Sequence, residues 1–304
     1  MKRIKIIPPL LLFFVTAVSF KEYTHISIVN EKDILIQIKP GPDSMPSLEK
    51  ILDLKTIYNE FGLDGMFVLY NAKKQAYYFY NKSLYNQPAT PASTFNITTA
   101  LIALEEGVCK DDNSIIQWNG YVSKNREANK DISLQFGFQH NIDWLFWELR
   151  KKIGAKKMKD WLSKLRYGNL ATPSGMDSLK ITPMGIDSFW VVSSTIRITP
   201  AQQLEYIKRL YYEQLPFSKD NIDIIKKLMY DKDIKGYKVY GKRGSYRLTG
   251  EGKYIGWYVG YLTKGDQVYF FVNYVQTDDL NHPKIVGSQK EIVFKILESY
   301  ELPD

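Results

Sequence analysis

The spacing of apolar positions runs from strand period to helix period and back along this chain. Ile26 and Ile28, then Ile34, Ile36 and Ile38, alternate with other residues until Pro40-Gly41-Pro42 ends the pattern. Ser47–Phe61 spaces Leu48, Ile51, Leu52, Leu54 and Ile57 three to four apart and predicts a helix. Gly65–Tyr70 and Ala76–Tyr80 are apolar and aromatic runs joined by Asn71–Gln75, the layout of a β-hairpin. From about residue 93 to 230 the pattern is helical, with helices predicted over Ile97–Glu106, Ile142–Ile153, Lys157–Leu165, Pro200–Leu215 and Asn221–Met229. Strands return at Gly236–Tyr240, Tyr254–Tyr261 and Val268–Val275, and Gln289–Ser299 predicts a closing helix. Strands at both ends with helices between imply an α+β fold: an antiparallel sheet from both chain ends with an inserted helical subdomain.

The N-terminus adds a targeting segment. Lys2, Arg3 and Lys5 precede an apolar run from Ile6 to Ala17, and Ala17 and Ser19 are small residues suited to a cut after Ser19. That is the layout of a signal peptide over residues 1–19 and implies a secreted or periplasmic protein. An uncleaved anchor is the alternative, but the run is short of the ~20 residues that span a bilayer, and Pro8-Pro9 interrupt its start. The expected organisation is a leader (1–19), an extension (20–46) and one domain (47–304).

Composition sharpens this mainly by exclusion. The 304 residues are 44% hydrophobic and 24% charged, as in an ordinary globular chain. The net charge of +8 is a mild excess, part of it in the leader, and argues against a nucleic-acid partner. Three histidines and one cysteine leave no disulfide framework and no metal-site spacing, so no cofactor is expected.

Candidate chemistry lies at Pro91-Ala92-Ser93-Thr94-Phe95-Asn96-Ile97, which follows the hairpin and opens a helix ending at Gly107. Further on come Trp118-Asn119-Gly120, Tyr167-Gly168-Asn169, Gly185–Trp190, Ile198–Gln203 and Leu215–Ser218. Lys242-Arg243-Gly244 and Trp257–Gly260 complete the series. In order and spacing this set resembles the class D β-lactamases, members of the penicillin-recognising serine enzymes, over most of residues 48–300. The resemblance implies a serine β-lactamase or transpeptidase-like fold with Ser93 as nucleophile. It implies an oxyanion hole from the Ser93 and Ser245 backbone N–H groups, with Lys242, Arg243, Gly244, Ser245, Tyr167 and Asn169 on the substrate side. The expected ligand is a β-lactam or a peptidoglycan stem peptide. A serine at a helix N-terminus suits this role, but its hydroxyl needs a base.

The base is where the pattern breaks. In the family a lysine one turn after the serine carries a carbamate that acts as base, sheltered by a Ser-x-Val segment and a tryptophan. Here that position is Asn96, the segment is Asn141-Ile142-Asp143, and the tryptophan is Trp190. The central Thr/Ser of Lys-Thr/Ser-Gly is Arg243, and Lys284 aligns with the family's late arginine. Two readings follow: a binder or slow acyl trap at Ser93, or a working hydrolase with Asp143 as substitute base. A third is a non-catalytic cell-envelope interaction module. Asp143 is equally read as a helix cap, and Arg243 as a carboxylate ligand or a solvated edge residue.

Other signals are weaker. Ser47-Leu-Glu-Lys50 fits Ser-x-x-Lys but reads as a capped helix start, and Gly250-Glu-Gly252 reads as a hairpin turn. Cys109 reads as a small buried residue, and His140 as a surface or helix-start residue beside the altered segment.

Overall fold

The computed structural model describes residues 48–182, 185, 186, 189, 196–284 and 287–302. The leader, the extension to residue 46, Ser47 and Trp190 lie outside the described residues. In chain order the main strands are β1 (Leu48–Ile51), β2 (Asp64–Asn71), β3 (Ala76–Tyr80), β4 (Ile115–Ile116), β5 (Ile132–Ser133), β6 (Tyr230–Ile234), β7 (Tyr237–Leu248), β8 (Lys253–Lys264) and β9 (Gln267–Thr277). The helices are α1 (Lys55–Phe61), α2 (Asn96–Glu105), α3 (Leu134–His140), α4 (Asp143–Ile153), α5 (Ala155–Leu165), α6 (Pro173–Ser178), α7 (Pro200–Tyr211), α8 (Lys219–Leu228) and α9 (Ser288–Ser299).

One sheet carries the domain, in the order β1-β3-β2-β9-β8-β7-β6. The early hairpin β2–β3 joins the late strands where β2 pairs antiparallel with β9, Phe67 opposite Asn273. Both chain regions therefore build the same sheet, with α2 to α8 supplied by the chain between them. The pairing is antiparallel except at the edge, where β1 runs parallel to β3.

Period-two alternation divides each central strand between two cores. Met66 and Val68 of β2, Trp257 and Val259 of β8, and Phe270 and Val272 of β9 pack with the helical subdomain. Phe67 and Leu69, Tyr258 and Leu262, and Tyr269 and Phe271 pack with α1 and α9. A sheet covered on both faces has no polar side, which is why its late strands read as unbroken apolar and aromatic runs.

Two local expectations are corrected. The helix predicted from Ser47 to Phe61 is a strand, β1, followed by a seven-residue helix, α1. Leu48 and Ile51 are not a core stripe but stand 51% and 72% exposed on the edge strand, whose backbone is committed to β3. The helix from Pro200 stops at Tyr211 rather than Leu215, because Glu213 takes a left-handed φ of 57° and turns the chain. His140 is exposed, as the surface reading expects, and stands at the last position of α3 with Asn141 left-handed behind it (φ 55°). Gly250-Glu-Gly252 does form the turn between β7 and β8, and Cys109 is buried.

Candidate active site

Ser93 sits in a tight 3₁₀ turn, Ala92–Phe95, that runs directly into α2. Ala92 holds φ at 47°, a left-handed conformation that costs a non-glycine residue roughly 1–2 kcal/mol. The surroundings over-determine this turn. Thr94 Oγ1 donates to Pro91 O at 2.6 Å and accepts from Gln203 Nε2 at 2.9 Å. The Tyr167 hydroxyl is also bonded to Thr94, and burial pushes that phenol well above its ordinary range. Phe95 meets the rings of Tyr167 and Phe189 edge-on at 5.5 and 5.8 Å. Trp257 Nε1 donates to Thr90 O at 2.9 Å and fixes the approach to the turn. Ser93 itself is half-buried, while Thr94, Phe95 and Asn96 behind it are buried.

Strand β7 forms the facing wall. A Cβ on Gly244 would fall 2.8 Å from the Ser93 nitrogen and 2.6 Å from that of Thr94, so only glycine lets the strand lie this close. Ser245 follows, opposite Gly256 in the ladder, and its side chain is bonded to Tyr254.

Two residues earlier, Lys242 is 3% exposed. Its Nζ donates to Phe138 O at 2.8 Å and to Asn141 Oδ1, and lies 4.6 Å from the Phe138 ring centre. Asn141 Nδ2 in turn donates to Arg243 O at 3.2 Å, so one amide clamps β7 to the end of α3. Burial, reinforced by the neighbouring Arg243 charge, drives the Lys242 ammonium well below its ordinary range, and Asp143 opposes the shift.

The region where the family's base would stand holds an amide and a guanidinium. Asn96 is 3% exposed, and its Oδ1 accepts from Arg150 Nη1 at 3.3 Å. The same nitrogen donates to Thr99 Oγ1 at 3.4 Å. Arg150 comes from α4, is 1% exposed, and stays protonated at any pH at which the protein is folded. Asp143 is the first residue of that helix, two turns earlier on the same side. Asp143 is exposed at the start of the helix. Partial desolvation raises its carboxyl above the ordinary range, against the pull of Arg150 and Lys242. No side-chain cap bond is made at the start of α4, so Asp143 acts there through the helix dipole.

Ser93, Asn96, Asn141, Lys242 and Gly244 are thus joined through contacts running from the serine turn to β7, α3 and α4. Tyr167 and Asn169 take supporting places. Asn169 Oδ1 accepts from Arg197 N, and its N donates to Arg197 O, both at 2.8 Å. Arg243 lines a cavity of about 400 Å³ with Lys242, His140, Tyr258 and Lys290, on which Ser93 does not border. Lys284 is engaged with α1, through Glu60 O and the Phe61 ring. Sequence reasoning missed Arg150, which reads as part of a solvated Arg-Lys-Lys run. The available signal was its seven-residue spacing from Asp143. Among the described residues no cluster of three metal-ligating side chains occurs.

The serine turn, glycine-strand wall and sheet order define a penicillin-recognising serine fold, and the chain belongs to that family: the penicillin binding protein transpeptidase domain matches residues 65–298. The probable β-lactamase YbxI of Bacillus subtilis (strain 168) is 34% identical over 239 residues, 79% of this chain and 82% of that protein. The crystal structure of the class D β-lactamase YbXI from Nostoc superposes with a TM-score of 0.71 at 30% identity, covering 80% of this chain and 96% of that one. The C-terminal domain of the Bacillus licheniformis BlaR penicillin-receptor also superposes at 0.71, with 25% identity, over 84% of this chain and all of that domain. The fold is therefore α+β of the class D type. No helix among the described residues is long and apolar enough to cross a membrane.

Proposed function

We propose that the protein is an exported penicillin-binding protein that captures β-lactams or peptidoglycan stem peptides at Ser93 and releases them slowly or not at all. The observation that carries this reading is the Arg150–Asn96 hydrogen bond: the position one turn behind the serine holds an amide locked to a permanent cation, and neither takes a proton at neutral pH. General-base assistance is worth ~10²–10⁴ in rate. An oxyanion hole and binding wall alone still leave ~10³–10⁴ over water in serine enzymes stripped of their base. A strained lactam is reactive enough to use that remainder. The Ser93 Oγ–carbonyl bond forms, the ring C–N bond breaks, and the hydroxyl proton ends on the released nitrogen. The ester left behind is unstrained, and its hydrolysis suffers more from the missing base.

Asp143 supports a second reading, a working hydrolase. Desolvation raises its carboxyl above the ordinary range, against the pull of Arg150 and Lys242, the direction a base needs. The two are told apart by labelling the protein with a fluorescent penicillin and denaturing it. Label that survives denaturation and is absent from Ser93→Ala supports capture. Label lost within seconds, with substrate consumed, supports the hydrolase.

A further inference from the structure

Asn96 stands one helical turn beyond Ser93, at the spacing that puts two side chains on one face. Its Oδ1 accepts from Arg150 Nη1, which also donates to Thr99 Oγ1 one turn further along α2. Arg150 thereby grips two successive turns of the helix that Ser93 opens. A guanidinium has five N–H donors and no acceptor, so it decides which end of the amide faces it. The oxygen turns to Arg150 and the NH₂ turns away. Rotating the amide by half a turn would set donor against donor beside a buried cation and leave a buried hydrogen-bonding group unsatisfied. The NH₂ then lies on the far side of the amide from Arg150, on a helix whose face Asn96 shares with Ser93.

We propose that Arg150 is a positioning residue that makes Asn96 a fixed hydrogen-bond donor toward the Ser93 site, and that this donor prolongs the acyl ester. The inference rests on the capture reading above. Hydrolysis of the ester joins a water oxygen to the carbonyl carbon and breaks the carbon–Oγ bond. One water proton must leave for an acceptor, and a proton must return to Oγ. At the position one turn behind the serine this protein offers N–H groups instead of an acceptor. A donor there holds a water or an ester oxygen in place but accepts nothing from it. Replacing a basic side chain by any neutral residue removes the base; orienting an amide with a buried arginine also sets the direction of the hydrogen bond.

The test uses the full chain, benzylpenicillin as probe, and the variants Arg150→Met, Arg150→Lys and Asn96→Asp. In ¹⁵N spectra of the free protein, the Asn96 side-chain NH₂ pair is expected to be fixed in the wild type and in R150K. In R150M it should move and broaden. Adduct lifetime, followed by intact mass, should fall at least about tenfold in N96D, which keeps an acceptor for Arg150 but removes the donor. R150K should keep a long-lived adduct and R150M should not. An Asn96 pair unchanged in folded R150M, or an N96D adduct as durable as the wild type's, overturns the inference. Should R150M fail to fold, N96D decides. Absence of any adduct on the wild-type protein would refute the capture reading, and the amide spectra would then decide the Arg150 clamp by themselves.

Discussion

Gly244 and Ser93 are in backbone contact: a methyl group at position 244 would lie 2.8 Å from the Ser93 nitrogen. The substrate-side strand and the serine turn are therefore parts of one packed unit, and the width of the site is set by a missing side chain. Gly244→Ala should push β7 off the turn. Overpacking of this kind costs about 1–3 kcal/mol, and the loss of alignment should slow Ser93 acylation by at least about 100-fold. Melting temperature and the rate of penicillin adduct formation measure the two effects. Normal acylation by G244A would show that the contact is incidental.

The Lys242 ammonium is buried against Phe138 and Asn141, and its pKa in the folded protein lies well below its ordinary value. Between those two values the unfolded chain binds a proton that the folded chain does not. Stability contributed at this site therefore rises as pH climbs through that interval toward the ordinary lysine range, and is lowest below it. Lys242→Met should flatten this rise in denaturant titrations at a series of pH values. A wild-type and a K242M profile of equal slope would contradict the placement of a buried, desolvated ammonium.

Asp143 has the opposite sign. Its carboxyl is harder to ionise in the folded state than in the unfolded one, so it disfavours folding once pH exceeds the carboxylate range and is neutral in effect at about pH 3 or lower. Asp143→Asn should raise the melting temperature slightly at pH 7 and not at low pH, the gain being small because the group is partly open to solvent. In the capture reading the same substitution leaves residual penicillin turnover unchanged. Loss of turnover would move the base to Asp143.

How far the sequence led can be argued from these residues. The hairpin β2–β3 and the strands β8 and β9 were legible because long aromatic and β-branched runs bounded by turns leave few alternatives. β1 was not, since an edge strand with both apolar residues exposed carries no burial pattern, and its spacing happens to match a helix. α3 and β6 each carry a signal in their bounding residues rather than in their apolar spacing. Ser133 caps α3 and Asn141 ends it, while Lys235-Gly236, both at positive φ, form the two-residue turn that makes β6 pair with β7. At the site, Ser93, Asn96 and the Lys242–Gly244 strand came from motif order. Arg150 lies on a different helix with no motif around it, and only the folded chain brings it to Asn96. Arg243 illustrates the converse: its place in the Lys242–Gly244 motif reads as substrate-side, but the cavity it lines does not border Ser93.

Cys109 offers a check on the packing of the helical subdomain. It is 2% exposed, and burial pushes its thiol up to about 11. An uncharged, enclosed thiol is a poor nucleophile. Thiol reagents should leave the native protein unmodified at pH 8 and label it in proportion to the unfolded fraction in denaturant. Rapid labelling without denaturant would mean that this part of the core opens freely.

The central claim is that a serine without a working base traps what it attacks. The most direct measurement is an intact-mass time course of the purified protein mixed with a single equivalent of benzylpenicillin, with peptide mapping of the product. The account predicts one adduct of intact penicilloyl mass on the peptide carrying Ser93, persisting long after free penicillin has been consumed and absent from Ser93→Ala. Complete conversion of penicillin to its hydrolysed form, with the protein returning to its unmodified mass within a few turnovers, would contradict it.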